Sequence, residues 1–191
     1  EFDNLILTKY HGLKTVFETA EFENLTPLIQ RMRLIKSADE VQKMMVAGVY
    51  ADKSVKVGFD NISLDNTETD IIAQIDFAMK REGYEMSFDT MVLTGDNAAN
   101  PHGIPGANKV ENNALLLFDL GVMVNGYASD MTRTVAVGKP DQFKKDIYNL
   151  TLEAQQAALD FIKPGVTAHE VDRAAREVIE KAGYGEYFNH R

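Results

Sequence analysis

The chain has 191 residues, a net charge of −9 and a composition that is 45% hydrophobic and 26% charged. That is an ordinary globular composition and excludes disorder, collagen and coiled coil, while an acidic balance without a dense Lys/Arg run argues against a nucleic-acid partner. There are no cysteines, so disulfides and thiolate metal sites are excluded, and no apolar run approaches the ~20 residues of a membrane-spanning helix.

In chain order, residues 4–9 and 13–17 read as short strands around the turn-like Tyr10-His11-Gly12. Leu25, Leu28, Ile29 and Met32 then fall at helical spacing, with Pro27 near the start. Ser37 and Glu40 have capping-box spacing and open a new helix, for which an inward stripe of Val41, Met44, Met45, Gly48, Val49, Asp52 and Val55 is predicted. A domain boundary is placed here: residues 1–33 read as the tail of an N-terminal domain and its linker, and residues 34–191 as part of a second domain. The chain begins at Glu1 rather than Met and stops at Arg191 without an obvious terminator. It reads as a piece of a longer protein, although processing would look the same.

Thr67 and Asp70 cap a second helix with Ile71, Ile75, Ala78 and Met79 inward and Gly83 as its stop. A strand is predicted over 88–93, a polar loop over 94–109, a buried strand over 114–118 and an alternating partner strand over 130–137. Pro140 and Asp141 open a long helix through Leu159, ended by Lys163-Pro164-Gly165. The last helix repeats the second one at a shift of 100. Thr67 meets Thr167, Asp70 meets Glu170, Ile71 meets Val171, Met79 meets Ile179, Gly83 meets Gly183, Tyr84 meets Tyr184 and Phe88 meets Phe188. Either chance or an internal duplication produces this; duplication predicts a pseudo-two-fold α/β domain whose second copy ends where its strands should begin.

Two groups of residues invite chemistry. Asp119 follows the apolar run 114–118, where a lone buried carboxylate is costly. Asn125-Gly126 is a type I′ hairpin turn, and pairing through it sets Gly121 opposite Asp130. Asp119 and Asp130 then become diagonal neighbours on one face, roughly 7 Å apart at Cβ or less. Such a pair repels unless a proton or cation intervenes, and two hard divalent cations would satisfy it. The alternative is that one Asp caps a strand and the other faces solvent. Ser129, Thr132 and Thr134 are candidate donors to the pair. His102 sits in a loop shaped by Pro101, Gly103, Pro105 and Gly106, where it either contacts substrate and moves protons or does nothing. His11 and His169 read as turn and helix-surface residues. His190, alone, is uninterpretable.

The combination Asn100-Pro101-His102-Gly103, Leu116-Leu117-Phe118-Asp119-Leu120-Gly121 and Tyr127-Ala128-Ser129-Asp130-Met131-Thr132-Arg133-Thr134 resembles the pita-bread metallopeptidase family. Within it, the bacterial Xaa-Pro dipeptidases (prolidases) are the match. The stretch Met32-Arg33-Leu34-Ile35-Lys36-Ser37 is similar to that family's join between its two domains. The resemblance implies a pita-bread α/β (α+β) fold of two similar halves, truncated here in the second. It makes Asp119 the first metal-ligand Asp, Asp130 the bridging Asp, His102 a catalytic proton-moving His and His190 a substrate-binding His. Three further ligands, one His and two Glu, would lie beyond Arg191.

The implied activity of the parent is hydrolysis of Xaa-Pro dipeptides with two divalent ions, manganese foremost, cobalt or zinc also suiting the donor set. The fragment itself is expected to be inactive. Rivals are an aminopeptidase P-type enzyme acting on longer peptides and a pita-bread domain that only binds partners. A short proline-containing peptide is the expected partner, with no nucleic acid and no membrane. A homodimer in the cytoplasm is expected.

Overall fold

A computed structural model describes residues 5–189. Its first element corrects the sequence reading: Leu7–Val16 is a helix, α1, where two strands were expected. The physical reason is that no strand among the described residues pairs with this segment. A lone hairpin is marginal in water, whereas a helix satisfies its own backbone groups. Gly12 needs no left-handed conformation here, and the Thr15 hydroxyl donates back to the His11 carbonyl at 3.0 Å. Helix α2, Thr26–Leu34, carries Pro27 in its first turn as expected.

Helix α3, Ala38–Asp60, starts at a complete capping box: the Ser37 side chain accepts from the Glu40 N–H, and the Glu40 carboxylate accepts from the Ser37 N–H. Its predicted inward stripe holds only at Val55. Ala47, Ala51, Ser54, Val55 and Gly58 are buried, whereas Val41, Met44, Met45, Val49 and Asp52 are exposed. The helix approaches the sheet so closely that small side chains line the contact. A Cβ at Gly58 would lie 2.7 Å from the Phe118 ring. Hydrophobicity alone selected the larger residues on the other side.

Helix α4, Glu68–Arg81, begins at the Thr67–Asp70 capping box and buries Ile71, Ile75 and Met79. Gly83 ends it at φ +85°, a left-handed value that glycine adopts without a Cβ penalty. The strands follow as β1 (Glu85–Met86), β2 (Met91–Thr94), β3 (Ala114–Leu120), β4 (Val122–Val124), β5 (Tyr127–Ala128) and β6 (Met131–Val137). The predicted 88–93 strand is therefore shifted and shortened, and the predicted loop opens with a 3-10 turn over Gly95–Ala99. All pairings are antiparallel, in two three-stranded sheets of order β1-β4-β5 and β2-β3-β6.

One face of β3 supplies the core. Ala114, Leu116, Phe118 and Leu120 are buried in strict alternation, and the last three pack with Ala51, Val55, Ile71 and Ile75 of α3 and α4. Phe59 meets Phe118 edge to face at 5.2 Å. The chain then continues as α5 (Gln142–Phe161), capped by Asp141, and α6 (Ala168–Lys181), capped by the Thr167–Glu170 box. Both stand where the sequence places them. No helix among the described residues is long and apolar enough to cross a membrane.

Candidate metal centre and the loop over it

Asn125 (φ +50°) and Gly126 (φ +83°) form the left-handed turn that the Asn-Gly pair specifies. Val124 opposes Tyr127 and Met123 opposes Ala128; beyond the break, Leu120 opposes Met131 and Asp119 opposes Thr132. A single register thus runs down both arms of the hairpin, and Asp130 stands level with Gly121. Asp119 and Asp130 are the diagonal neighbours that the turn predicts.

Gly121 marks the change from one sheet to the other. A Cβ there would collide with the Ser129 carbonyl oxygen and the Ser87 hydroxyl. The Ser87 N–H donates to the Gly121 carbonyl at 2.8 Å, and the Ser87 hydroxyl donates to the Ser129 carbonyl at 2.8 Å. The Ser129 hydroxyl accepts from the Val122 N–H at 2.9 Å. Ser129 therefore secures the backbone of the junction, rather than donating to a carboxylate as its position suggested. Thr132 does donate, to Asp119 Oδ1 at 3.1 Å.

Asp119 lies on the face of β3 away from the helices and is half-buried; Asp130 is exposed. Burial raises the Asp119 carboxyl above its ordinary value, the Thr132 hydrogen bond opposes that shift, and the negative charge of Asp130 adds to it. A cation between the two would relieve both the desolvation and the repulsion. The donors are hard oxygens suited to Mn²⁺ or Mg²⁺. Among the described residues, no group of three or more His, Cys, Asp or Glu is placed to hold a metal ion. The pair fits as part of a ligand set, not as a whole one.

His102 comes to this face by a folded-back loop. Leu93 opposes Leu117, which shares its face with Asp119 two residues along β3. Leu93 is only 1% exposed because the His102 loop covers it: a Cβ at Gly103 would lie 2.8 Å from Leu93 Cδ1. The Asn100 side chain accepts from the His102 N–H at 3.1 Å, and the Gly103 N–H donates to the Asn100 carbonyl at 3.0 Å. His102 itself is exposed. His190 lies outside the described residues.

One residue escaped the sequence reading. Glu68, in the first turn of α4, is 0% exposed. It accepts from the Thr94 N–H (2.8 Å), the Gly106 N–H (2.8 Å), the Asn108 amide (3.1 Å) and the Asn97 amide (3.1 and 3.3 Å to its two oxygens). The available signal was the repeat itself, since the position matching Glu68 is Ala168.

A family model described as Metallopeptidase family M24 matches residues 35–191. The chain is 48% identical to an Xaa-Pro dipeptidase of Lactobacillus helveticus over 194 residues, covering 100% of this chain and 53% of that protein. Among solved structures, a prolidase from Pyrococcus horikoshii OT3 matches with a TM-score of 0.94 at 38% identity, over 98% of this chain and 54% of that one. An Xaa-Pro dipeptidase from Bacillus anthracis matches with a TM-score of 0.94 at 36% identity, over 100% of this chain and 54% of that one. The chain spans about half the length of the curated relatives it matches. The likeness to prolidase structures bears out the pita-bread α/β fold expected from the motifs.

Proposed function

The chain belongs to metallopeptidase family M24, and from that premise we propose that the whole protein hydrolyses Xaa-Pro dipeptides at a dinuclear metal centre. In this reading residues 34–191 are part of the catalytic domain and 1–33 the end of a preceding one. The observation that carries the proposal is the placement of Asp119 and Asp130 as diagonal neighbours on a sheet face that the His102 loop crosses.

Asp119 and Asp130 would hold the ions, manganese foremost. When bound, such ions supply Lewis-acid polarisation of the scissile carbonyl and lower the pKa of the attacking water. Thr132 orients the Asp119 carboxylate through its hydroxyl. His102, exposed on its braced loop, would meet the peptide and move a proton to or from it. The substrate class is a short proline-containing peptide, which the likeness to the Xaa-Pro dipeptidase from Lactobacillus helveticus supports.

The test is turnover of an Xaa-Pro dipeptide by the whole protein with added Mn²⁺. Asp130→Asn is expected to abolish it, because an amide cannot supply the anionic oxygens of a bridging ligand. His102→Ala is expected to keep the metal, read by mass spectrometry, and to lower turnover by about 10²–10⁴-fold. Retained turnover in Asp130→Asn overturns the assignment.

A further inference from the structure

A fully buried carboxylate needs compensation, and no ion pair to Glu68 occurs among the described residues. Its compensation is a set of N–H donors, all drawn from the segment 94–108: Thr94, Asn97, Gly106 and Asn108. Two lie before His102 in the chain and two after it. The same helix turn returns bonds to this segment, from the Glu68 N–H to the Asn108 carbonyl at 3.0 Å and from the Thr69 N–H to the Gly106 carbonyl at 3.3 Å. The Asn97 amide also donates to the Ile104 carbonyl at 3.3 Å, tying the two limbs of the loop together.

An apolar side chain of similar volume would fill this space at less desolvation cost. It could not choose a path for the backbone. Only an acceptor with two oxygens satisfies both limbs at once, and the turn between them is held at two points. Gly103 is pressed on Leu93, and Asn100 closes the turn on His102 and Gly103.

We propose that Glu68 is a positioning residue: a buried anionic hub that fixes the 94–108 loop and thereby sets where His102 stands over the face bearing Asp119 and Asp130. The catalytic consequence rests on the reading of His102 given above; the ordering of the loop does not.

The test uses the whole protein that contains this chain. Glu68→Gln turns an –NH₂ group toward N–H donors, so one limb of the loop loses its acceptor. The expected result is a kcat on an Xaa-Pro dipeptide lower by about 10²-fold, the scale of a misplaced catalytic group, with bound metal unchanged. In a His102→Ala background the same substitution adds little, because nothing is left for the loop to place. Amide hydrogen exchange at Thr94 and Gly106 speeds up in Glu68→Gln.

Asn108→Ala removes one donor from an exposed residue and gives the same pattern at smaller amplitude. It serves as the test if Glu68→Gln does not fold. Adding Asn108→Asp to Glu68→Gln restores one donor–acceptor pair and recovers part of kcat. A loss of kcat that multiplies in full with that of His102→Ala, a parallel loss of metal, or unchanged exchange at Gly106 overturns the proposal. If His102→Ala alone leaves kcat intact while Glu68→Gln still loosens Gly106, the role of His102 fails and the ordering of the loop by Glu68 stands.

Discussion

The helix pairs α3–α4 and α5–α6 begin from the same local instructions and end in different environments. Helices α4 and α6 both have 14 residues and a complete capping box, and both stop at a left-handed glycine, Gly83 at φ +85° and Gly183 at φ +86°. Even the exit bonds match: the Tyr84 N–H donates to the Met79 carbonyl at 3.0 Å and the Tyr184 N–H to the Ile179 carbonyl at 3.1 Å. Yet α4 buries Glu68, Ile71, Ile75 and Met79, whereas α6 buries Ile179 alone. Likewise α3 buries five residues on the sheets and α5 only Ala154. The difference lies in what covers them. Among the described residues of this chain, the first pair packs on strands and the second mainly on itself. Caps and stops are decided within a few residues; burial waits for partners distant in the chain.

The largest expected effect exposes this asymmetry in function. The first pair backs the sheet whose other face bears Asp119 and Asp130, and among the described residues the second pair adds no third metal ligand. The 191-residue chain by itself is expected to cleave no Xaa-Pro dipeptide and to bind Mn²⁺ weakly by isothermal titration, beside a whole protein that on the proposed function is expected to do both. Two carboxylates hold ions poorly against water. Tight two-ion binding by the chain alone would show that the site lies elsewhere or that its ligand set is different.

Next in size are the matched core positions. Ile71 is 0% exposed, and Ile71→Ala is expected to cost about 2–5 kcal/mol in urea unfolding. Its counterpart Val171 is half-buried, and Val171→Ala should cost about 1 kcal/mol. Equal losses would mean that the second pair is as well covered as the first, and the contrast would collapse.

What was legible in the sequence divides along the same line. The N-caps of the four α-helices from Ser37 onward, the Asn125-Gly126 turn and the register that makes Asp119 and Asp130 neighbours are set by nearby residues, and all are legible in the sequence. The stripe of α3 was misread because its contact with Phe118 demands small residues, which carry no hydrophobic signal. The hub at Glu68 was missed because its partners lie 26 to 40 residues away. A polar residue at the start of a helix looks like a favourable charge near the helix dipole and nothing more. The N-terminal helix α1 was misread for a third reason: alternation over so few residues does not make a strand without a partner.

The contrast can be sharpened inside α3, whose two glycines face different surroundings. A Cβ at Gly58 would press on the Phe118 ring and Ile75, whereas one at Gly48 would meet nothing within 4 Å. Gly58→Ala should therefore destabilise by about 1–3 kcal/mol through overpacking. Gly48→Ala should stabilise by about 0.5–1 kcal/mol, since alanine loses less backbone entropy in a helix. Thermal unfolding of the two variants checks both signs. Destabilisation by Gly48→Ala would mean that the face carrying Val49 and Met45 is occupied.

The smallest effects are those that should be equal in the two halves. Thr67 and Thr167 each accept from the backbone N–H three residues on, at 3.1 and 3.2 Å. Thr67→Ala and Thr167→Ala should each cost about 1 kcal/mol. The same geometry sets a pH dependence. Hydrogen bonds from Thr67, side chain first and backbone second, hold Asp70 below its ordinary carboxylate value. Thr167 does the same for Glu170, its backbone N–H foremost. A carboxyl whose folded pKa is depressed contributes stability that is fully present above its unfolded value and is lost as pH falls through the folded one. Both boxes should therefore weaken together as pH drops below the ordinary carboxylate range, near 4. Hydrogen exchange at the Asp70 and Glu170 amides, followed from neutral pH downward with intrinsic rates divided out, reports each box separately. Parallel loss of protection is expected. A box that opens at distinctly higher pH than its counterpart would show that burial reaches even the caps, and that the likeness of the two halves stops short of their first turns.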